Sequence, residues 1–263
     1  MIEFFTIAFW FYFLVFVIAV FLAFFIPGDL LLRRLNFSLF QRITLGTIVG
    51  MVLWGWQGFV FGYLNIRWFS YVYLILFLIL WISKYRLSFR QTHFLKRKIS
   101  FDWYLVSIIL FGAILQLTSV WLTGVKTPEG LYFCCGNVAD SILNISVTHQ
   151  LVNHYPPFEP GFYGRYIANY HYWSSLVMGE LIRVFSLPLV SVNYQYMTVF
   201  ISLFLGLSAV VFGQILGIGK VFSRWLVFFV YFGADLVWFL VAIMGGVVNF
   251  LQCSRWKADS NSW

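Results

Sequence analysis

The amino-acid sequence predicts an all-α, polytopic helical membrane protein with about seven spans and an interfacial amphipathic helix in an outer loop. The first observation behind this fold class is compositional: 62% of the 263 residues are hydrophobic and 10% are charged, whereas about 25% are charged in a soluble domain. The second is that apolar windows recur at about 20 residues, the length of helix that crosses a ~30 Å hydrocarbon core. The third is that three of the four histidines, His149, His154 and His171, fall in one hydrophilic window, Lys126 to Tyr172, with Glu129, Asp140, Glu159 and Arg165. A β-barrel would alternate apolar and polar residues, and among structures with free ends only the helix satisfies its own backbone in lipid.

The spans fall near Phe4 to Ile26, Ile43 to Leu64, Ile66 to Ile82, Trp103 to Thr123, His171 to Phe185, Asn193 to Leu216 and Val221 to Met244. The first has neither a basic leader nor a small-residue cleavage site and reads as a retained span. The fifth is short and carries Glu180 and Arg183, so it reads as a tilted helix or a half-span; a charge at the bilayer centre costs about 2.5 to 3.5 kcal/mol. Basic residues orient the chain, because short loops rich in Lys and Arg stay in the cytoplasm. The link with Lys84, Arg86, Arg90, Lys96, Arg97 and Lys98 and the link with Arg33, Arg34 and Arg42 therefore belong inside. The link with Arg67 and the long window with Lys126 and Arg165 belong outside, while Lys220 and Arg224 fall outside against the rule. That conflict disappears if the fifth segment does not cross.

Residues 1–102 form an N-terminal transmembrane region with a basic cytoplasmic link, and 103–263 form a second transmembrane region with an outer loop at 124–170. The polar tail Gln252 to Trp263 follows Gly245 and Gly246 without a helix-closing pattern, which points to a fragment of a longer chain. The net charge of +8 reflects topology and contact with lipid headgroups, and nothing supports a nucleic-acid partner. Cys134 and Cys135 are adjacent and with Cys253 match no zinc spacing, so they read as packing residues.

In the outer window, NVADSILNISVTHQLVN from Asn137 to Asn153 places Val138, Ile142, Ile145 and Val152 on one helical face, widened by Leu143, Val147 and Leu151. Asp140, Asn144 and Thr148 recur at i, i+4 and i+8 on the other, the pattern of an amphipathic helix at a membrane surface. Pro156 and Pro157 end it. Asp140 has two readings. It is placed to act as a general base or metal ligand, and it also sits at the third position after an Asn137 N-cap, where a carboxylate returns a capping hydrogen bond and complements the helix dipole. His149 and His154 are five apart, off the spacing of a metal pair, and read as a packed residue and a carbonyl cap. Arg165, Asn169 and His171 stand among Tyr166, Tyr170, Tyr172 and Trp173 at the mouth of a span. An aromatic belt accounts for the Tyr and Trp residues but not for the cation, amide and imidazole. Glu180 and Asp235 are intramembrane acids that either mark a polar path or pair with a neighbour such as Arg183. No GxSxG, Walker, HExxH or dinucleotide signature is present.

An inner basic link, a span, and an outer loop with Asp in an amphipathic helix followed by an aromatic, Pro-rich return is similar to the GT-C superfamily of multipass membrane glycosyltransferases. The resemblance is carried by DSILNISVTHQLVNHYPPFEPGFYGRYIANYHYW, Asp140 to Trp173, covers about residues 103 to 190, and has a weaker echo in FFIPGDLLLRRL. It implies a transferase of the bacterial plasma membrane and cell envelope that moves a sugar from a polyprenyl-phosphate donor to an acceptor on the outer face. By that resemblance Asp140 is the catalytic base or metal-site acid, and Arg165 maps most naturally to the cation that binds the lipid phosphate; Asn169 and His171 are expected to bind substrate beside it. The four are expected to line one cavity. A divalent metal is compatible with the family, although no ligand spacing indicates one. The departures are a span count below the family's usual number and one clear loop acid where many members pair two. A transporter or flippase-like protein, with Glu180 and Asp235 forming a polar path, is the reading from a different class; a non-catalytic assembly protein is a third.

Overall fold

The computed structural model describes residues 4, 6–88, 102–118, 120, 123–127, 130–133, 138–162, 164–167 and 170–233. Eight helices appear in it: α1 (Ile7–Leu32), α2 (Leu39–Tyr63), α3 (Phe69–Ser88), α4 (Trp103–Thr118), α5 (Val138–Asn153), α6 (Trp173–Phe185), α7 (Leu189–Ile215) and α8 (Lys220–Phe232). One two-stranded antiparallel hairpin, β1 (Val125–Thr127) and β2 (Gly130–Tyr132), interrupts the helical pattern with Lys126 opposite Leu131.

The seven-span expectation is corrected. Among the described residues three helices, α1, α2 and α7, are long and apolar enough to cross a membrane, with 26, 25 and 27 residues. At 1.5 Å per residue each exceeds the ~30 Å hydrocarbon core. Phe69–Lys84 within α3 and Trp103–Leu117 within α4 are apolar but shorter. The helix α6 has 13 residues and α8 is described only as far as Phe232; Asp235 and the rest of the last expected span lie outside the described residues.

Contacts divide the chain into two units, one of residues 1–9, 102–142 and 193–263, the other of residues 10–101 and 143–192. The first is built on α4, α7 and α8. Ile109, Ala209, Val210 and Val227 form its core, and Gly112 and Gly206 leave room for the ring of Tyr231. Polar contacts fix its two ends. At one, Gln195 donates to the Thr123 carbonyl at 2.9 Å and Tyr194 to the Ser141 carbonyl. At the other, Arg224 Nε donates to Asp102 Oδ2 at 3.1 Å. The chain therefore climbs α4, leaves from its far end, and re-enters α7 at that same end. The 13 residues of α6 are too few for the fifth expected span. Arg224, at the start of α8, meets the residue at the foot of α4.

Asp102 also accepts from the Tyr104 amide at 3.2 Å as α4 begins. The hydrogen bond from Arg224 and its positive charge hold the Asp102 carboxyl below the usual aspartate range. A depressed folded-state value means that its contribution is complete above the unfolded value of about 3.9 and is lost as pH falls through the lower folded value. Asp102→Asn should therefore lower stability slightly at neutral pH and flatten the acid limb of a stability-against-pH profile below about pH 4, where the two profiles converge. Unfolding in detergent across that range checks it.

In the second unit α1 and α2 lie against each other with little between their backbones. A Cβ on Gly28 would stand 1.8 Å from the Gly46 carbonyl oxygen, and one on Gly50 would stand 1.6 Å from that of Phe24. Small residues permit such approach, the means by which helices associate in lipid. Pro27 lies within α1 and has no N–H to give the Ala23 carbonyl; the helix widens to a π turn over Phe21–Phe25 just before it, a recognised way of absorbing the defect. Asp29, wholly buried, is the acid that hydropathy concealed. It accepts from Arg42 Nε at 3.0 Å and from Trp81 Nε1 at 3.1 Å, so α1, α2 and α3 meet at one carboxylate. Nearby, Arg33 donates to the Lys84 carbonyl at 3.1 Å, which joins the end of α1 to α3.

Candidate functional site

The far end of the second unit carries the outer-loop residues. Here α5 docks through Val147, Thr148 and Leu151, all 0% exposed, and Val147 and Leu151 join Leu176 of α6 in one core. The buried face of α5 is turned from the expected one. Thr148, placed by spacing on the polar face, is buried and satisfied by donating to the Asn144 carbonyl at 2.8 Å, while Ile142 and Leu143 are exposed. A helix laid on protein and facing lipid elsewhere has two faces that accept apolar residues, so periodicity alone does not say which one is buried. Gly179 lets α6 close on α5, since a Cβ there would sit 3.2 Å from that of Leu151.

Helix α6 packs against α2. Trp173 packs on Gly55, Glu180 on Gly58, and Phe185 faces Trp54. This packing brings Glu180, wholly buried, to the α2–α3 link. There Arg67 Nε donates to Glu180 Oε1 at 3.0 Å and Arg183 pairs with Oε2. Ser70 lies 3.3 Å from Oε2 and 2.9 Å from Gln57 Oε1. Arg67 also donates to the carbonyls of Leu151 and Val152 at the end of α5, the second at 3.2 Å. Arg183 donates to the Arg67 carbonyl at 3.0 Å. One carboxylate thus holds two guanidinium groups, and one of those guanidinium groups closes the last turn of α5. Sequence reading named Glu180 and Arg183 but passed over Arg67, whose signal was its position as the lone cation of an otherwise uncharged short link.

The predicted site residues are placed as follows. Asp140 stands in the first turn of α5, in the first unit, exposed, with no hydrogen bond or ion pair to another described residue. Asn137 and Asn169 lie outside the described residues, so the capping reading of Asp140 and the binding role of Asn169 stay expectations. Arg165 belongs to a small hairpin in which Phe158 bridges Tyr166 and the Glu159 amide donates to the Arg165 carbonyl at 2.7 Å. Across that hairpin its guanidinium lies 3.6 Å from Glu159, and both side chains are well exposed; such a pair contributes about 0 to 1 kcal/mol. His171 is exposed and stacked on Tyr170, ring centroids 5.0 Å apart. Tyr170 in turn reaches Asn144 on α5, hydroxyl to Oδ1 at 3.3 Å.

Two cavities open in this unit. One, of about 300 Å³, is aromatic, with Trp56, Phe59, Tyr170, His171, Trp173 and Leu176 in its wall. The other, of about 240 Å³, is polar, with Asn65, Arg67, Asn153, His154, Tyr155 and Tyr166. Of the predicted site residues described, His171 lines the first; Asp140 and Arg165 line neither. His149 and His154 are also exposed instead of packed or capping: His149 meets the Asn153 amide, and His154 faces the ring of Phe158 and the polar cavity. Burial and a hydrogen bond with Tyr172 push the Tyr155 phenol well above its usual range, so it is a neutral donor at physiological pH. Among the described residues no group of three or more His, Cys, Asp or Glu is arranged to hold a metal ion.

Comparison of the chain with protein-family models, with curated proteins and with solved structures finds no match in any of the three.

Proposed function

We propose that this chain is a multipass protein of the bacterial plasma membrane and the membrane region of a GT-C-like glycosyltransferase, moving a sugar from a polyprenyl-phosphate donor to an acceptor on the outer face. The observation that carries the reading is Asp140: an exposed carboxylate without a described partner, on a helix whose other half is locked into the fold by Val147, Thr148 and Leu151. A base must be free to accept a proton and rigid enough to stay aimed, and this helix offers both. Transfer from a phosphate-linked sugar further requires stabilisation of the leaving phosphate, for which Arg165, His171 and Asn169 are the proposed groups. The aromatic cavity beside His171 is a suitable seat for an apolar or ring-shaped part of the substrate.

The transporter reading has less support. Glu180, which it would place in an open polar path, is 1% exposed at its side chain and engaged by Arg67 and Arg183.

Membranes carrying the protein and a labelled polyprenyl-phosphate sugar test the reading. Asp140→Asn should lower the rate of lipid-phosphate release by about 10²- to 10⁴-fold, the usual contribution of a general base, with protein abundance unchanged. Full activity in that variant removes Asp140 from the mechanism. Vectorial movement of the lipid without release of phosphate would favour the flippase instead.

A further inference from the structure

Two guanidinium groups and one carboxylate leave the Arg67–Glu180–Arg183 cluster with one uncompensated positive charge. Its side chains are 14%, 1% and 17% exposed, so water screens that charge poorly, and a partly buried charge without compensation is costly. Among the described residues no second carboxylate reaches either arginine. Arg67, however, forms part of the wall of the polar cavity. Its Nη1 donates to the Val152 carbonyl, and since that nitrogen carries two hydrogens, one remains for an occupant.

The rest of the wall supplies donors and no carboxylate. The side chains of Asn65, His154 and Tyr166 make no hydrogen bond to another described residue, whereas Asn153 is held by the His149 carbonyl at 3.0 Å and Tyr155 by Tyr172. Asn65 is held at φ 56°, directly after the end of α2. Four uncommitted donor groups surround a space of about 240 Å³ beside an excess positive charge. That volume and number of donors suit a tetrahedral oxyanion, which accepts several hydrogen bonds from different directions.

We propose that the polar cavity beside Arg67 binds a phosphate group, contacted by Arg67, Asn65, His154 and Tyr166, and that the bound group balances the charge of the buried arginine pair. The site is distinct from the Asp140 assignment and does not rest on the transferase reading. Either free phosphate or the phosphate of an anionic lipid headgroup supplies this chemistry.

The test uses the full chain purified in detergent and inorganic phosphate as the probe, against chloride at matched ionic strength. Phosphate should raise the unfolding temperature saturably, and chloride should not. His154→Ala and Asn65→Gly, the second preserving the left-handed backbone, should each weaken apparent phosphate affinity by about ten-fold, as expected for loss of one hydrogen bond to a charged group. Nanodiscs of phosphatidylglycerol and of phosphatidylcholine separate the sources. Loss of the response to free phosphate in phosphatidylglycerol alone identifies a lipid headgroup as the occupant, and an equal response in both identifies free phosphate. A response that is absent or unsaturable in detergent, or undiminished in both variants, overturns the proposal.

Discussion

Glu180→Gln should be the most damaging single substitution in the second unit, destabilising the protein by about 3 to 5 kcal/mol, the usual consequence of breaking a buried ion pair by removing one partner. The amide keeps the size of the side chain, so packing against Gly58 is retained. What disappears is the negative charge between Arg67 and Arg183, which leaves two guanidinium groups close together and poorly hydrated. Arg67 would then be released from its seat, and the carbonyls of Leu151 and Val152 that it caps would lose their donor. Arg183→Leu should be milder, because it leaves Arg67 and Glu180 as a neutral pair. Thermal unfolding in detergent, with the fraction of folded protein recovered from membranes, reads both effects. If Glu180→Gln unfolds with the wild type, or if Arg183→Leu proves the worse of the two, charge balance is not what holds α6 against α2.

The second large effect is expected at Gly50. Its missing side chain faces the Phe24 carbonyl, and a Cβ would lie 1.6 Å from that oxygen, far inside any tolerable contact. Because the obstacle is backbone, no rotamer change relieves it, and α1 and α2 must separate. Overpacking of this kind costs about 3 kcal/mol at the upper end of its usual range. Alanine's better helix propensity returns at most about 1 kcal/mol, so the steric term wins. Separation would also strain the pairing of Asp29 with Arg42, which joins the same two helices. Gly161→Ala is the control: nothing lies within 4 Å of a Cβ there, and it should unfold with the wild type. Equal stability of Gly50→Ala and Gly161→Ala would mean that α1 and α2 do not lie this close.

The candidate site was legible only in part. Residue types marked the outer window, and its residues line part of both cavities, but the side chains that define the polar one were not those singled out. Arg67 lies 113 residues from Glu180 in sequence, and no local pattern records that they meet. Arg165 was singled out because it stood among aromatic residues, and nothing in that context signalled its salt bridge with Glu159 across a short hairpin. The close approach of α1 to α2 did have a signal, the small residues Gly46 and Gly50 four apart on one helix face, though not one that identified Gly28 and Phe24 as their partners.

The sequence by itself determined that the chain is helical and apolar enough to associate with a bilayer, and α1, α2 and α7 were among its seven expected spans. Those properties follow from transfer free energies that add residue by residue along a window, so they need no knowledge of what lies next to what. The tertiary structure decided that α6 packs on α2 through Gly55 and Gly58, that Asp29 and Glu180 are both buried and both paired, and which face of α5 is covered. Each depends on whether a distant side chain arrives to satisfy a charge or fill a space. A buried carboxylate is expensive alone and tolerable beside an arginine, and only the folded arrangement supplies that arginine.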